Sequence, residues 1–237
     1  MNEYKDLKNK RVLVTGSSKG IGFNIAKSFQ EKGALVAING RNKKRLELAQ
    51  TKIPGSISLH GDLSKENIAK KITDNIKREF GGLDILVCNA GNGNSLPPGH
   101  ETLDEFTKII DDNFYSAFNI INCAKTMLGR SKGSIVCISS ICGTETIPNA
   151  PITYSVAKAA LNRYVNSVSR PLGKDNIRIN AIAPGNILFK GSVWEKKLKR
   201  SKNAVKKTVK EQVPLKKFGD LNDIISLVLY LSSENSK

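Results

Sequence analysis

Tyr154 and Lys158 stand four residues apart at the start of a stretch with helical apolar spacing, so their side chains share one helix face. A free tyrosine titrates near ~10. A neighbouring ammonium favours the phenolate and draws that value down. A phenol tuned toward neutrality gives or takes a proton at a carbonyl or alcohol oxygen. Ser140 follows an apolar run over 133–139 and can hydrogen-bond the same oxygen. Asn113 is a polar residue set among Ile109, Ile110, Phe114 and Phe118. Each is commonplace alone; together they need elements that bring them to one place.

The first such element lies near the N-terminus. Val12-Leu13-Val14 reads as a buried strand, and 23–29 as a helix. Between them stand Gly16, Gly20 and Gly22, spaced Gly-x-x-x-Gly-x-Gly. That is looser than the Gly-x-Gly-x-x-Gly dinucleotide fingerprint. Glycine lets the backbone turn sharply and approach a ligand closely. The free N–H groups of the following helical turn then favour a phosphate.

Strand-like and helix-like stretches alternate from there on. Strands are expected over 33–39, 56–60, 83–88, 133–139 and 177–182, with helices over 42–51, 103–128 and 154–172 and a further helix ending at Phe80, for which Ser64 is a candidate cap. This alternation predicts an α/β fold of three layers, a doubly wound parallel sheet of the Rossmann type in one domain over 1–237. Ligands of such sheets bind beyond the C-terminal strand ends. The residues there are the glycine loop, Asn39-Gly40-Arg41, Asp62-Leu63, Asn89-Ala90-Gly91, Ser139-Ser140 and Pro184-Gly185. After the second strand there is no carboxylate to hold a ribose 2′-hydroxyl. Arg41 and Lys19 are two cations suited to a 2′-phosphate, which favours NADP over NAD.

The 237 residues are 39% hydrophobic and 25% charged, ordinary for a globular chain. No run is long and apolar enough for a bilayer, the start carries no secretory pattern, and Cys88, Cys123, Cys137 and Cys142 lack metal-site spacing. A cytoplasmic protein with free thiols, no metal and no membrane partner is expected. The net charge of +17 is spread over helix-face lysines, so nucleic acid is not the expected partner. One stretch, 190–217, concentrates the charge. It holds Lys196, Lys197, Lys199, Arg200, Lys202, Lys206, Lys207, Lys210, Lys216 and Lys217 against Glu195 and Glu211, with Trp194, Leu198, Val205 and Val209 as an inner face. It reads either as a solvated amphipathic helix or as a basic lid for an anionic or carrier-bound substrate.

The motifs Thr15-Gly16-Ser17-Ser18-Lys19-Gly20-Ile21-Gly22, Asn89-Ala90-Gly91, Asn113, Ile138-Ser139-Ser140, Tyr154-Ser155-Val156-Ala157-Lys158 and Pro184-Gly185 stand in the order of the short-chain dehydrogenase/reductase family, which the chain resembles over nearly its whole length. The resemblance implies roles. Tyr154 is the general acid in reduction. Lys158 lowers its pKa and holds the nicotinamide ribose. Ser140 orients the carbonyl, and Asn113 positions a water in a proton relay. Gly16, Ser18, Lys19, Gly20, Ile21 and Gly22 hold the cofactor phosphates, Arg41 the adenosine end, and Asp62 and Leu63 flank the adenine. Asn89, Ala90 and Gly91 line the cofactor path, and Pro184, Gly185 and Ile187 adjoin the carboxamide. A homodimer or homotetramer is implied through the helices at 103–128 and 154–172. The sequence departs from the family in three places. Cys88 replaces a frequent asparagine, Phe189 stands where a threonine often contacts the nicotinamide amide, and the family's last edge strand does not follow the helix ending near Leu231, as in a chain that is either truncated or built without that strand. The function implied is NADP(H)-dependent hydride transfer to a carbonyl or from a secondary alcohol, such as a 3-oxoacyl thioester or sugar. The alternatives are an NADP-binding regulatory relative without turnover and a nucleotide-sugar-modifying enzyme.

Overall fold

β1 (Arg11–Val14) has no polar face because both of its faces are covered. Val12 and Val14 point into one apolar layer and Leu13 into the other, and all three are fully buried. In this computed structural model, which describes residues 4–237, β2 (Leu35–Gly40), β3 (Ile57–His60), β4 (Ile85–Cys88), β5 (Ser134–Ile138) and β6 (Arg178–Ile182) join β1 in one parallel sheet. The order is β3–β2–β1–β4–β5–β6. The register runs Val14 against Ile38 on one side and Val14 against Val87 on the other.

Helices cover both faces. α1 (Gly20–Glu31) and α2 (Lys43–Gln50) pack on the side of Val12 and Val14, with Ile25, Phe29 and Leu46 in that layer. α3 (Glu66–Phe80) packs on the side of Leu13 through Ala69, Ile72 and Ile76. α4 (Leu103–Ile110) leads through a π-helical turn, Asp111–Tyr115, into α5 (Ser116–Ser131), and α6 (Ile152–Lys174) joins the same layer through Leu161 and Val165. After β6 come α7 (Val193–Arg200), α8 (Lys202–Gln212) and α9 (Leu221–Ser232), the last returning to the first layer through Ile224 and Val228. Each fully buried Leu or Ile contributes roughly 1.5–3 kcal/mol, so the two layers fix the strand ends firmly.

The structure corrects the sequence reading locally. The helix expected over 103–128 is not continuous: the π-helical turn interrupts it, and it runs on to Ser131. Ser64 does not cap α3; the cap position is Lys65, without a side-chain bond, and Ser64 N–H instead donates to Asp62 Oδ1 at 3.0 Å. β2 begins at Leu35 because Gly33, with φ of 80°, still turns the chain. Six strands form the sheet among the described residues, with β3 and β6 as its edges. β1 pairs with β2 and with β4, so the crossovers leave it in opposite directions and open a crevice at their C-terminal ends.

Candidate active site

The glycine loop after β1 is welded to the loop after β4. Thr15 Oγ1 accepts from Asn89 N and Ala90 N, each at 2.9 Å, and Asn89 Nδ2 donates to Thr15 O at 3.0 Å and Gly16 O at 3.1 Å. This closeness is why glycine is required. Gly16 has φ of 61°, and a Cβ there would stand 2.7 Å from Ala90 Cα; one on Gly22 would overlap the Asn89 amide. On the other side Ser17 Oγ donates to Val14 O at 2.6 Å and accepts from Asn39 N at 3.0 Å. Asn39 Nδ2 reaches Leu59 O and Gly61 O, tying in the end of β3. Ser18 packs beside Gly40, and Ile21 packs against the apolar layer below. α1 itself has no side-chain cap and no acid in its first turn, whereas Asn42, Thr102 and Asp220 cap α2, α4 and α9. A phosphate-bearing dinucleotide fits this cradle: the glycines leave room, and the first-turn N–H groups are uncapped by any side chain.

The second centre lies where β5 ends and α6 begins. Ser140 begins a short 3-10 turn, its Oγ accepting from Cys142 N at 3.2 Å, and its side chain lies near enough to the Tyr154 hydroxyl to act on its acidity. Lys158 is 4% exposed, with Nζ 5.7 Å from the Tyr154 ring centre and donating to Ile138 O at 2.9 Å. Gly143 lets the 3-10 turn lie on α6: a Cβ there would stand 2.6 Å from Lys158 C. Asn113 sits in the π-helical turn and is 1% exposed. Its Nδ2 donates to Asn92 O and Ile109 O, both at 3.0 Å, and its Oδ1 accepts from Asn92 N. Gly91 fits between Asn113 Oδ1 and Lys158 Nζ, which brings these two side chains to one place.

The acidity of this centre differs from the sequence expectation. Burial pushes the Tyr154 phenol above its ordinary value, and the Ser140 side chain only partly opposes it. Burial therefore outweighs any help from Lys158, whose own value burial draws down to about 8 and whose ammonium bonds the Ile138 carbonyl.

The adenosine end also differs. Arg41, expected to meet a phosphate, pairs through both Nη atoms with Asp112, the Nη2–Oδ2 bond being 3.2 Å, and its Nη1 lies 3.8 Å from Asp62. Burial works against its charge, but the bonds to Asp112 outweigh this and raise its pKa. Asp112 resembles a solvated helix acid in sequence; the interruption of the helix turns it inward instead, next to Asn113. Leu63 is buried, and Asn119 Nδ2 fixes Leu63 O and Ser64 O at 3.0 Å. Lys19 is exposed, and partial burial and the charges of Arg45 and Lys196 hold it below its ordinary pKa. Asp112 thus joins the site without any signal in the spacing, while Thr15 and Asn39, named in the sequence only as members of their motifs, turn out to tie the loops together.

Beyond β6, Pro184 O accepts from Ile141 N at 3.1 Å, and Gly185 lies beside the Ile141 side chain. Ile187 bridges to Gly219 through Asn186 O and Leu188 N, so the bridge does not use its own N–H and C=O. Phe189 lies against Gly20 of the loop. In α7 and α8 Val205 and Val209 are buried and Trp194 rests 5.5 Å from Phe218, while all ten basic residues of 190–217 named above for the lid are exposed. Among the described residues no three His, Cys, Asp or Glu are grouped to hold a metal, and no helix is long and apolar enough to cross a membrane.

A crevice of this build, at the switch point of a doubly wound sheet, belongs to the nucleotide-cofactor oxidoreductases of the Rossmann class. Residues 16–237 match a family model described as enoyl-(acyl carrier protein) reductase. Glucose 1-dehydrogenase 2 of Bacillus subtilis (strain 168) is 31% identical over 242 residues, 98% of this chain and 91% of that protein. The structure of NAD+-bound xylitol dehydrogenase matches with a TM-score of 0.90 at 26% identity, over 97% of this chain and 94% of that one. L-sorbose reductase from Gluconobacter frateurii, complexed with NADPH and L-sorbose, matches with a TM-score of 0.88 at 26% identity, over 97% and 91%. The chain belongs to the short-chain dehydrogenase/reductase family, and is an oxidoreductase of that family.

Proposed function

We propose that the protein transfers hydride between NADP(H) and a carbonyl or secondary alcohol, with Tyr154 as the general acid and base. The observation that carries the reading is the grouping of Ser140 and Tyr154 beside buried Lys158, whose Nζ lies 5.7 Å from the Tyr154 ring centre and next to Gly91 of the loop clamped to the glycine cradle. When bound, the nicotinamide supplies or takes the hydride. Ser140 and Tyr154 direct two hydroxyls at one substrate oxygen, and Tyr154 hands it a proton as reduction proceeds. A raised phenol pKa keeps Tyr154 protonated near neutrality, which suits reduction. Lys158, at about 8, remains charged at pH 7 and faces the ribose side of the crevice in this reading. Gly16 to Gly22 hold the phosphates, and Asp62, Leu63, Asn89, Ala90, Gly91, Pro184, Gly185 and Ile187 line the rest. Lys19, unpaired by any acid among the described residues, supports the phosphorylated cofactor, and Arg41 joins it only by leaving Asp112. The exposed lysines of α7 and α8 suit an anionic or carrier-bound substrate. The aromatic cluster of Phe114, Tyr115, Phe118 and Tyr164 on α5, α6 and the π-helical turn supports pairing of two copies.

The test is a panel of sugars, ketones and acyl thioesters followed at the NADPH absorbance, with NADH in parallel. Turnover with NADPH is the expected result. Phe189 against Gly20 favours the second reading, a cofactor-binding relative without turnover. NADPH binding by fluorescence with no reaction across the panel in either direction decides for that reading.

A further inference from the structure

We propose that Asp112 tunes the choice between phosphorylated and unphosphorylated dinucleotide by competing with the ribose 2′-phosphate for the Arg41 guanidinium. This rests on the NADP(H) reading above and names the residue that limits it. Arg41 follows β2 and Asp112 belongs to the π-helical turn, and the two meet through a two-pronged pair. The Asp112 side chain is 5% exposed, that of Arg41 50%. A carboxylate so enclosed needs a cation, because an unpaired buried charge is costly. Its other side-chain contact is weak and neutral, Asn92 Nδ2 at 3.4 Å. The neighbouring cation, Lys65, is paired to Asp111 at 3.5 Å.

The local charges sharpen the point. Arg41 stands against both Asp112 and Asp62, so the three together are net negative and offer a phosphate no attraction. Lys19, Arg45 and Lys196 form the opposite case, with no ion pair among the described residues. A 2′-phosphate drawn in by that group gains Arg41 only by taking it from Asp112. A 2′-hydroxyl has no charge with which to compete. The acid therefore taxes the phosphorylated cofactor alone and holds the preference below what the cations would otherwise give.

The experiment is calorimetric titration of adenosine 2′,5′-bisphosphate and of 5′-AMP into the wild type, Asp112→Asn, Arg41→Ala and the double variant. Asp112→Asn keeps the side-chain shape and the Asn92 contact. It should tighten the bisphosphate about tenfold, the scale of one charge-assisted bond, and 5′-AMP by less than about twofold. The gain should vanish when Arg41 is also alanine. Equal tightening of both nucleotides, or a gain that survives Arg41→Ala, overturns the proposal. If circular dichroism shows the amide variant unfolded, Asp112→Ser is read by the same criteria. A wild type that prefers the bisphosphate, with Asp112→Asn unchanged, sinks the inference and leaves the cofactor reading standing. A preference present only in Asp112→Asn does the reverse.

Discussion

The two ends of the crevice are built by opposite means. Around Tyr154 the groups are enclosed and carry a single charge: Ser140, Asn113 and Lys158 are each under a tenth exposed, and Lys158 Nζ bonds a backbone carbonyl. Around Arg41 the groups are charged, with Arg41 and Asp62 partly open over the enclosed Asp112, and ion pairs decide where side chains point. Burial sets properties at the first end and charge balance at the second. Enclosed groups are little screened by salt, whereas exposed charge is screened by it and rearranged by a competing ion. The chemical end should therefore answer to mutation and pH, and the adenosine end to ionic strength.

The largest effect expected is from Tyr154→Phe. Removing one hydroxyl at the buried end should lower kcat by about 10³-fold, the range of a lost general acid. The NADPH dissociation constant should stay within about threefold, because the adenosine end is untouched. Rapid mixing for the chemical step and fluorescence titration for binding measure the two separately. A parallel loss of binding would mean that the two ends are not independent.

Gly22→Ala attacks what joins the ends. Its Cβ would meet the Asn89 amide and Gly16 O, and neither is the free tip of a flexible chain. Forcing the loops apart should cost about 2–3 kcal/mol, read as a fall in Tm of roughly 6–10 °C, and NADPH binding should fall with it. An alanine variant with wild-type Tm and affinity would show that the clamp is slack.

What could be read in the sequence divides along the same line. The parallel sheet, the glycine loop and the group of Ser140, Tyr154, Lys158 and Asn113 follow from period, spacing and motif order, because packing imposes a pattern on residue types. The partner of Arg41 leaves no such pattern. Asp111-Asp112 looks like two acids on a helix face, and only the π-helical turn, whose extra residue rotates the chain, sends Asp112 inward while Asp111 stays with Lys65. The phenol's acidity leaves no pattern in the sequence for a related reason. Spacing placed an ammonium one turn from Tyr154, but spacing carries no desolvation, and burial acts on both groups.

The lysine gives a pH test of the buried end. Lys158 titrates at about 8 in the folded protein against 10.5 for an ordinary lysine. Between those values the unfolded chain binds more protons, so stability rises with pH. Below pH 8 the cost of the buried charge is present in full, and above it the cost is relieved. Cys88, whose thiol is pushed up by its neighbour Cys137 and by burial, works in the opposite sense from its ordinary value of 9 upward. The rise is therefore sought between pH 8 and 9, where it should be about 1 kcal/mol, or roughly 3 °C in Tm. Lys158→Met should remove the slope. A slope that persists in Lys158→Met would assign it to another group.

Ionic strength gives the smallest effect and bears on the open end. Lys19 and Arg45 are exposed and share the positive field with Lys196, so a phosphate held there is held largely by screened charge. Raising salt from 0.05 to 0.3 M should weaken NADPH binding by about threefold and NADH binding hardly at all. Lys19→Ala should flatten the NADPH dependence by removing one cation from the field. The chemical step measured at saturating cofactor should not move over the same range, since its groups are enclosed. If salt shifted that step as strongly as it shifted binding, the division between a packed end and a charged end would fail. Salt insensitivity of NADPH binding would place the phosphate among enclosed groups instead, with Arg41 already taken from Asp112 in the complex.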